Sequence, residues 1–267
     1  MNNIPTETPV REVYHNIVVN WNVINYVWCE RFLLEHPTEY FNQVDVNGNT
    51  IINNCISILG EDFVDTLPFY IAKGLDFAKR DSNGATPLLC AVQLECTQRT
   101  NMLRIIDSLL KISNQVDVPD NMGWTPLMVA CYCNNEPLVE LLLENNANAN
   151  IVNNDGNTAI MLSFLGSNTA VLDKDKYEYL DIIKLLANNK IGLFVRNLKG
   201  DNLLSFAIKN YKNTIAMPVI RLILSHETTT RDDILAKNKY GICCIIAAAD
   251  TGYNPLIKLL QDYTNVQ

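Results

Sequence analysis

An all-α solenoid of stacked helix–turn–helix units is the fold class predicted for this 267-residue chain, and three observations predict it. A turn glycine recurs at Gly48, Gly84, Gly123, Gly156, Gly200 and Gly241, with spacings of 36, 39, 33, 44 and 41 residues. Self-similarity at such a period marks a repeat architecture, in which each unit buries its apolar face only against its neighbours. Each glycine opens a short apolar run at helical spacing, and Asp or Asn precedes most of them by three residues. A second segment then follows, with apolar residues at i, i+3, i+4 and i+7, the stripe of a half-buried helix.

Taken in order, residues 1–39 are expected to form an N-terminal tail and a degenerate helical cap. Within them EVYHNIVVN and VWCERFLLEH occupy the two helix positions of a worn repeat, and Tyr14, Trp21, Tyr26, Trp28 and Phe32 supply the bulk to close one end of a core. Terminal repeats are atypical because one side faces water. Residues 40–267 form the repeat domain, about six repeats starting near 45, 81, 120, 153, 197 and 238. The best first-helix copies are DSNGATPLLCAV, DNMGWTPLMVAC and NNDGNTAIMLSF; DVNGNTIINNCI, NLKGDNLLSFAI and NKYGICCIIAAA are weaker. Second helices are read at DFVDTLPFYIA, NMLRIIDSLLKI, PLVELLLENN, YLDIIKLLANN, PVIRLILSH and PLIKLLQDY.

The unit between Asp120 and Asn150 is the most regular, and Thr86-Pro87-Leu88 and Thr125-Pro126-Leu127 carry its signature. The pattern resembles the ankyrin repeat, although Leu89 and Met128 stand where that repeat usually has His. Glycine accepts the left-handed turn, Thr caps the first helix, Pro sits in its first turn, and Leu and Ala point into the stack. Extra length is expected in inter-helix loops at QLECTQRTN, at residues 166–176, and at KNYKNTIAM and HETTTRDDIL.

Composition narrows the function classes. The chain carries 21 Lys and Arg against 29 Asp and Glu, a formal charge of −8, with no long basic run, so nucleic acid and anionic membrane are not expected partners. No secretion signal opens the chain, and the apolar stretch at residues 13–34 is broken by Asn16, Asn20, Asn22, Asn25, Glu30 and Arg31, which excludes a membrane span there. Eight cysteines falling mostly in apolar helical runs read as reduced, buried thiols and favour a cytoplasmic setting.

No catalytic constellation emerges. Only His15, His36 and His226 are present, and Cys29 and His36 lie two helical turns apart with no third group to orient them. Cys131-x-Cys133 and Cys243-Cys244 lack the spacing and the further ligands of a structural zinc site. Neither an enzyme, a cofactor nor a metal is expected.

The resemblance instead implies a surface for a protein partner. Turn tips and the outer side of the first helix line the concave face of such a stack. Carried onto this chain, those positions are Asn83 in one unit, and Asn121, Met122, Trp124, Tyr132 and Cys133 in the next. Asn154, Asp155 and Asn157 follow, then Leu198, Lys199 and Asp201, and last Lys239, Tyr240 and Ile242. Trp124 is the expected anchor, with Met122, Met128 and Tyr132 forming an apolar patch around it. Arg80, Arg196, Lys199, Lys237 and Lys239 place positive charge near other turns. The resemblance also implies a hydroxylation site at Asn150, eight residues after Leu142. The alternative reading is a host-directed effector, in the host cytosol, acting through the inserted loops or the N-terminal cap. Stand-alone chains of this type are similar to proteins of intracellular bacterial pathogens and large DNA viruses.

Overall fold

In the computed structural model, residues 42–266 are described, apart from residues 46, 99–101, 168–172, 189–192, 211 and 213. The expected N-terminal cap, with Cys29, His15 and His36, lies outside them. The fold is all-α as predicted: among the described residues the only extended pairing is a single bridge between Val44 and Thr50. Two compact units divide the chain, Met1–Asn121 and Met122–Gln267.

The first unit contains α1 (Ile51–Leu59), α2 (Phe63–Ala72), α3 (Pro87–Gln98) and α4 (Leu103–Ile112). First helix packs on first helix, α1 on α3, and second on second, α2 on α4. Ile52, Ile56, Phe63, Leu88, Leu89, Ile105, Ile106 and Leu109 are fully buried between them. Burying such a side chain contributes about 1.5–3 kcal/mol.

The second unit repeats this arrangement with α5 (Pro126–Tyr132), α6 (Glu136–Glu144), α7 (Ala159–Ser167), α8 (Asp173–Asn188), α9 (Leu203–Lys209), α10 (Ala216–Ser225), α11 (Arg231–Leu235), α12 (Cys244–Thr251) and α13 (Asn254–Val266). The short first helices α5, α7, α9 and α12 stack in sequence, and α8 packs on α10. Helix α7 is apolar nearly all round and is buried on all sides, with only Leu165 partly exposed.

Side-chain caps start four of the first helices. Thr50, Thr86 and Thr125 accept the backbone N–H of Asn53, Leu89 and Met128, at 3.1, 3.3 and 3.3 Å. Asn202 performs the same task for Ser205 at 2.9 Å. Pro87 and Pro126 occupy first-turn positions, where a missing N–H costs nothing.

The inserted segments differ from expectation. QLECTQ continues α3 as helix to Gln98, and the 166–176 stretch is helical at both of its described ends, closing α7 and opening α8. The second half of HETTTRDDIL forms α11, started by a capping box between Thr230 and Asp233. Its Ile234 is fully buried and α11 packs on α12 and α13. Helical continuation satisfies backbone groups that a long loop would leave to water.

Candidate functional site

The candidate surface begins with the turns. All six turn glycines have φ between +77° and +82°. Asp45, Asp81, Asn153, Asn197 and Asn238, three residues before a glycine, each use one side-chain oxygen to accept two backbone N–H groups, at i+2 and i+4, over 2.8–3.0 Å. A short side chain that replaces water for two amides stiffens the hairpin from within.

Neighbouring turns are then tied together. In the first unit Ser82 N–H donates to the Gly48 carbonyl at 2.8 Å, and Asn121 N–H to the Asn83 carbonyl at 2.9 Å. In the second unit Asn154 N–H donates to Met122 at 3.1 Å, Leu198 N–H to Asp155 at 3.0 Å, and Lys239 N–H to Lys199 at 3.3 Å. Only glycine admits this approach at position 156: a Cβ there would lie 2.6 Å from the Leu198 nitrogen. Side chains add a second ladder, Asn197 Nδ2 to Asn157 Oδ1 at 3.1 Å and Asn238 Nδ2 to Asp201 Oδ1 at 3.0 Å. Lys209 Nζ completes it at 2.6 Å from Asp201 Oδ2.

In the second unit this ladder presents a row of exposed tips. Met122 is 63% exposed, Leu198 59% and Tyr240 69%, and Asp155, Lys199 and Lys239 are exposed between and beside them. Trp124 and Tyr132 are half-buried and meet edge to face, ring centroids 5.4 Å apart at 87°. The Tyr132 carbonyl accepts the Tyr179 hydroxyl at 2.9 Å. Gly166 in α7 leaves the room: a Cβ there would fall 2.3 Å from that same carbonyl.

Several expected contributors are placed elsewhere. Asn157 and Asp201 are 7% and 3% exposed and committed to the side-chain ladder, so they hold the row rather than face outward. Met128 is 1% exposed, a core residue and not part of the patch with Met122. Asn83 and Asn121 are exposed, but belong to the first unit, where Asn121 Nδ2 also donates to Ser82 O at 2.9 Å. Cys133 is half-buried just after α5, and Asn150 is exposed in its return turn while Leu142 is fully buried.

Two arginines act differently from a solvated charge. Arg80 Nε donates to the Gly84 carbonyl at 2.7 Å and Nη2 to Pro119 O at 2.5 Å. Arg196 Nη1 donates to the Gly200 carbonyl at 2.7 Å, and Nη2 reaches Asp233 O and Ala236 O at 3.4 Å. Each fastens its own turn to the segment that precedes the next one. Arg four residues before a turn glycine was the available signal for this role.

Cys55, Cys131, Cys243 and Cys244 are buried as packed side chains. Burial pushes the Cys131 thiol well up, and raises Cys244 to about 11 against the hydrogen bond from Ser205. A thiolate is the nucleophile, and neither group supplies one near neutral pH. Among the described residues no three His, Cys, Asp or Glu side chains converge as metal ligands, and no helix is long and apolar enough to cross a membrane.

Comparison with known proteins agrees with this geometry. A family model described as ankyrin repeats (3 copies) matches residues 94–174. An ankyrin repeat protein of variola virus is 26% identical over 152 residues, covering 55% of this chain and 26% of its own length. A putative ankyrin repeat protein of fowlpox virus is 27% identical over 217 residues, 77% of this chain and 54% of the viral protein. A poly [ADP-ribose] polymerase tankyrase of Caenorhabditis elegans is 26% identical over 230 residues, 71% of this chain but 10% of that protein. The chain thus spans about a quarter of the variola relative and about half of the fowlpox one.

Proposed function

We propose that this chain, similar to ankyrin repeat proteins of poxviruses, is a non-enzymatic module that holds a partner protein on the concave face of its second unit. The row of Met122, Asp155, Leu198, Lys199, Lys239 and Tyr240 supports this reading most. Its side chains are exposed, while the backbone beneath them is tied turn to turn. A surface ordered before binding loses little entropy when a partner covers it. Trp124 and Tyr132, which follow Met122 in the chain, supply aromatic area of the kind that anchors interfaces.

Two substitutions test it together. Trp124→Ala is expected to weaken partner capture by about 2 kcal/mol or more, as hot-spot truncations do. It also removes the edge-to-face pair with Tyr132, at a cost to stability of about 0.5–1.5 kcal/mol. Met122→Ser touches an exposed tip, so capture should fall with the thermal midpoint unchanged. Affinity capture from host-cell lysate with mass spectrometry reads both. A partner set retained in full by the two variants would sink the docking reading.

A second reading, an effector directed at host proteins through the inserted segments, draws support from the viral origin of two relatives. Alanine at the exposed Glu227, Arg231 and Asp232 around α11 separates the two. Capture is lost under the second reading and kept under the first.

A further inference from the structure

Charge is unevenly spread along the row of turns. The chain carries a formal charge of −8, yet Lys199, Lys237 and Lys239 are exposed at two successive turns, joined by the Lys239 N–H to Lys199 carbonyl bond. Arg196 adds a fourth cation at the base of the first of these turns. The carboxylate at the same place, Asp201, is buried and already neutralised by Lys209 at 2.6 Å. Asp155 lies on the neighbouring turn, and Asp232 and Asp233 lie on α11, where Asp233 is engaged by Thr230. Between the cations stand two exposed apolar tips, Leu198 and Tyr240.

We propose that the turn tips at Gly200 and Gly241 form a basic, apolar corner that recognises an acidic protein segment carrying an aliphatic or aromatic side chain beside its carboxylates. The assignment rests on the docking reading above and names the chemistry of the partner. Carboxylates of the segment pair with Lys199, Lys237 and Lys239, which guides encounter and fixes register. Its apolar side chain covers Leu198 and the Tyr240 ring. A nucleic-acid strand fits less well: three lysines are few against the about 6–10 phosphate contacts typical of such binding, and the remaining charge of the chain repels a long polyanion.

The test is selection of random peptides, displayed on phage, against the immobilised full chain, followed by fluorescence anisotropy of the enriched peptides. The expected result is enrichment of Asp and Glu around one apolar residue. Affinity should then fall about tenfold in Lys199→Glu/Lys239→Glu and drop on raising salt, as screened charge pairs do. Tyr240→Ala should weaken binding without changing its salt dependence. Neutral or basic peptides that lose affinity in Met122→Ser overturn the acidic-segment assignment while leaving the docking face in place. Peptides insensitive to all of these substitutions, or no enrichment, overturn both. A 20-nucleotide single strand that binds more tightly than the peptides and is lost with the same lysines also overturns the assignment.

Discussion

Asn197 shows how much one side chain in a turn can hold. Its Oδ1 accepts the N–H groups of Lys199 and Asp201, both at 3.0 Å, and its Nδ2 reaches back to Asn157 at 3.1 Å. Asn197→Ala removes all three bonds. The Asp201 amide is buried, so the expected loss is about 1–3 kcal/mol, the cost of an unpaired buried donor. Chemical denaturation measures it, and a loss below about 0.5 kcal/mol, the range of ordinary surface substitutions, would show that water replaces the side chain freely. Asn or Asp three residues before the glycine was legible in the sequence as a turn signal. Its double acceptance follows from local geometry and was legible in principle. The onward bond to Asn157 was not, because it joins residues 40 apart whose distance only stacking decides. The same limit put Asn157 and Asp201 among the outward-facing residues: polar side chains in a turn read as solvated until a neighbouring turn covers them.

At the level of elements, the helices were legible because their period and caps are local. Thr125 followed by Pro126 marks the start of α5, and the Thr125 hydroxyl accepts the Met128 amide as that motif predicts. Lengths were less legible. Helix α3 runs on through QLECTQ, and the segment before α12 contains α11, whose Thr230–Asp233 capping box is written in the sequence but sits inside what reads as a loop. Helix α7 carries the device that sets the aromatic pair. Gly166→Ala places a Cβ 2.3 Å from the Tyr132 carbonyl and 2.8 Å from the Tyr179 ring. The backbone oxygen cannot swing away as a flexible side chain would, so α5 and α7 must separate. Overpacking of this kind costs about 1–3 kcal/mol, despite the better helix propensity of alanine. Near-ultraviolet circular dichroism should also change, since Trp124 packs on Tyr132. A variant with native stability and an unaltered aromatic spectrum would refute the close-approach role.

For the molecule as a whole, buried thiols make stability depend on alkaline pH. Cys90 is raised to about 12 and Cys244 to about 11 from an ordinary value near 9, and Cys131 is raised further, burial being the main cause in each. Above the unfolded value the unfolded chain loses protons that the folded chain keeps, so folding weakens as pH rises. The contribution is whole below about pH 9 and declines from there up to the folded values, about 11 for Cys244 and about 12 for Cys90. Thermal midpoints from pH 7 to 11 should fall above 9, and less steeply in Cys131→Ala. Equal slopes in the two proteins would rule the thiol out. The sequence by itself determined the period of the repeat, the helix starts and the left-handed turns, since each depends on residues within a few positions of one another. Tertiary structure alone decided which turn residues face outward. It turned Arg80 and Arg196 into struts and buried Met128, Asn157 and Asp201. Those outcomes depend on contacts between successive repeats some 30 to 40 residues apart, where burial and hydrogen bonding are settled by stacking and not by the local pattern.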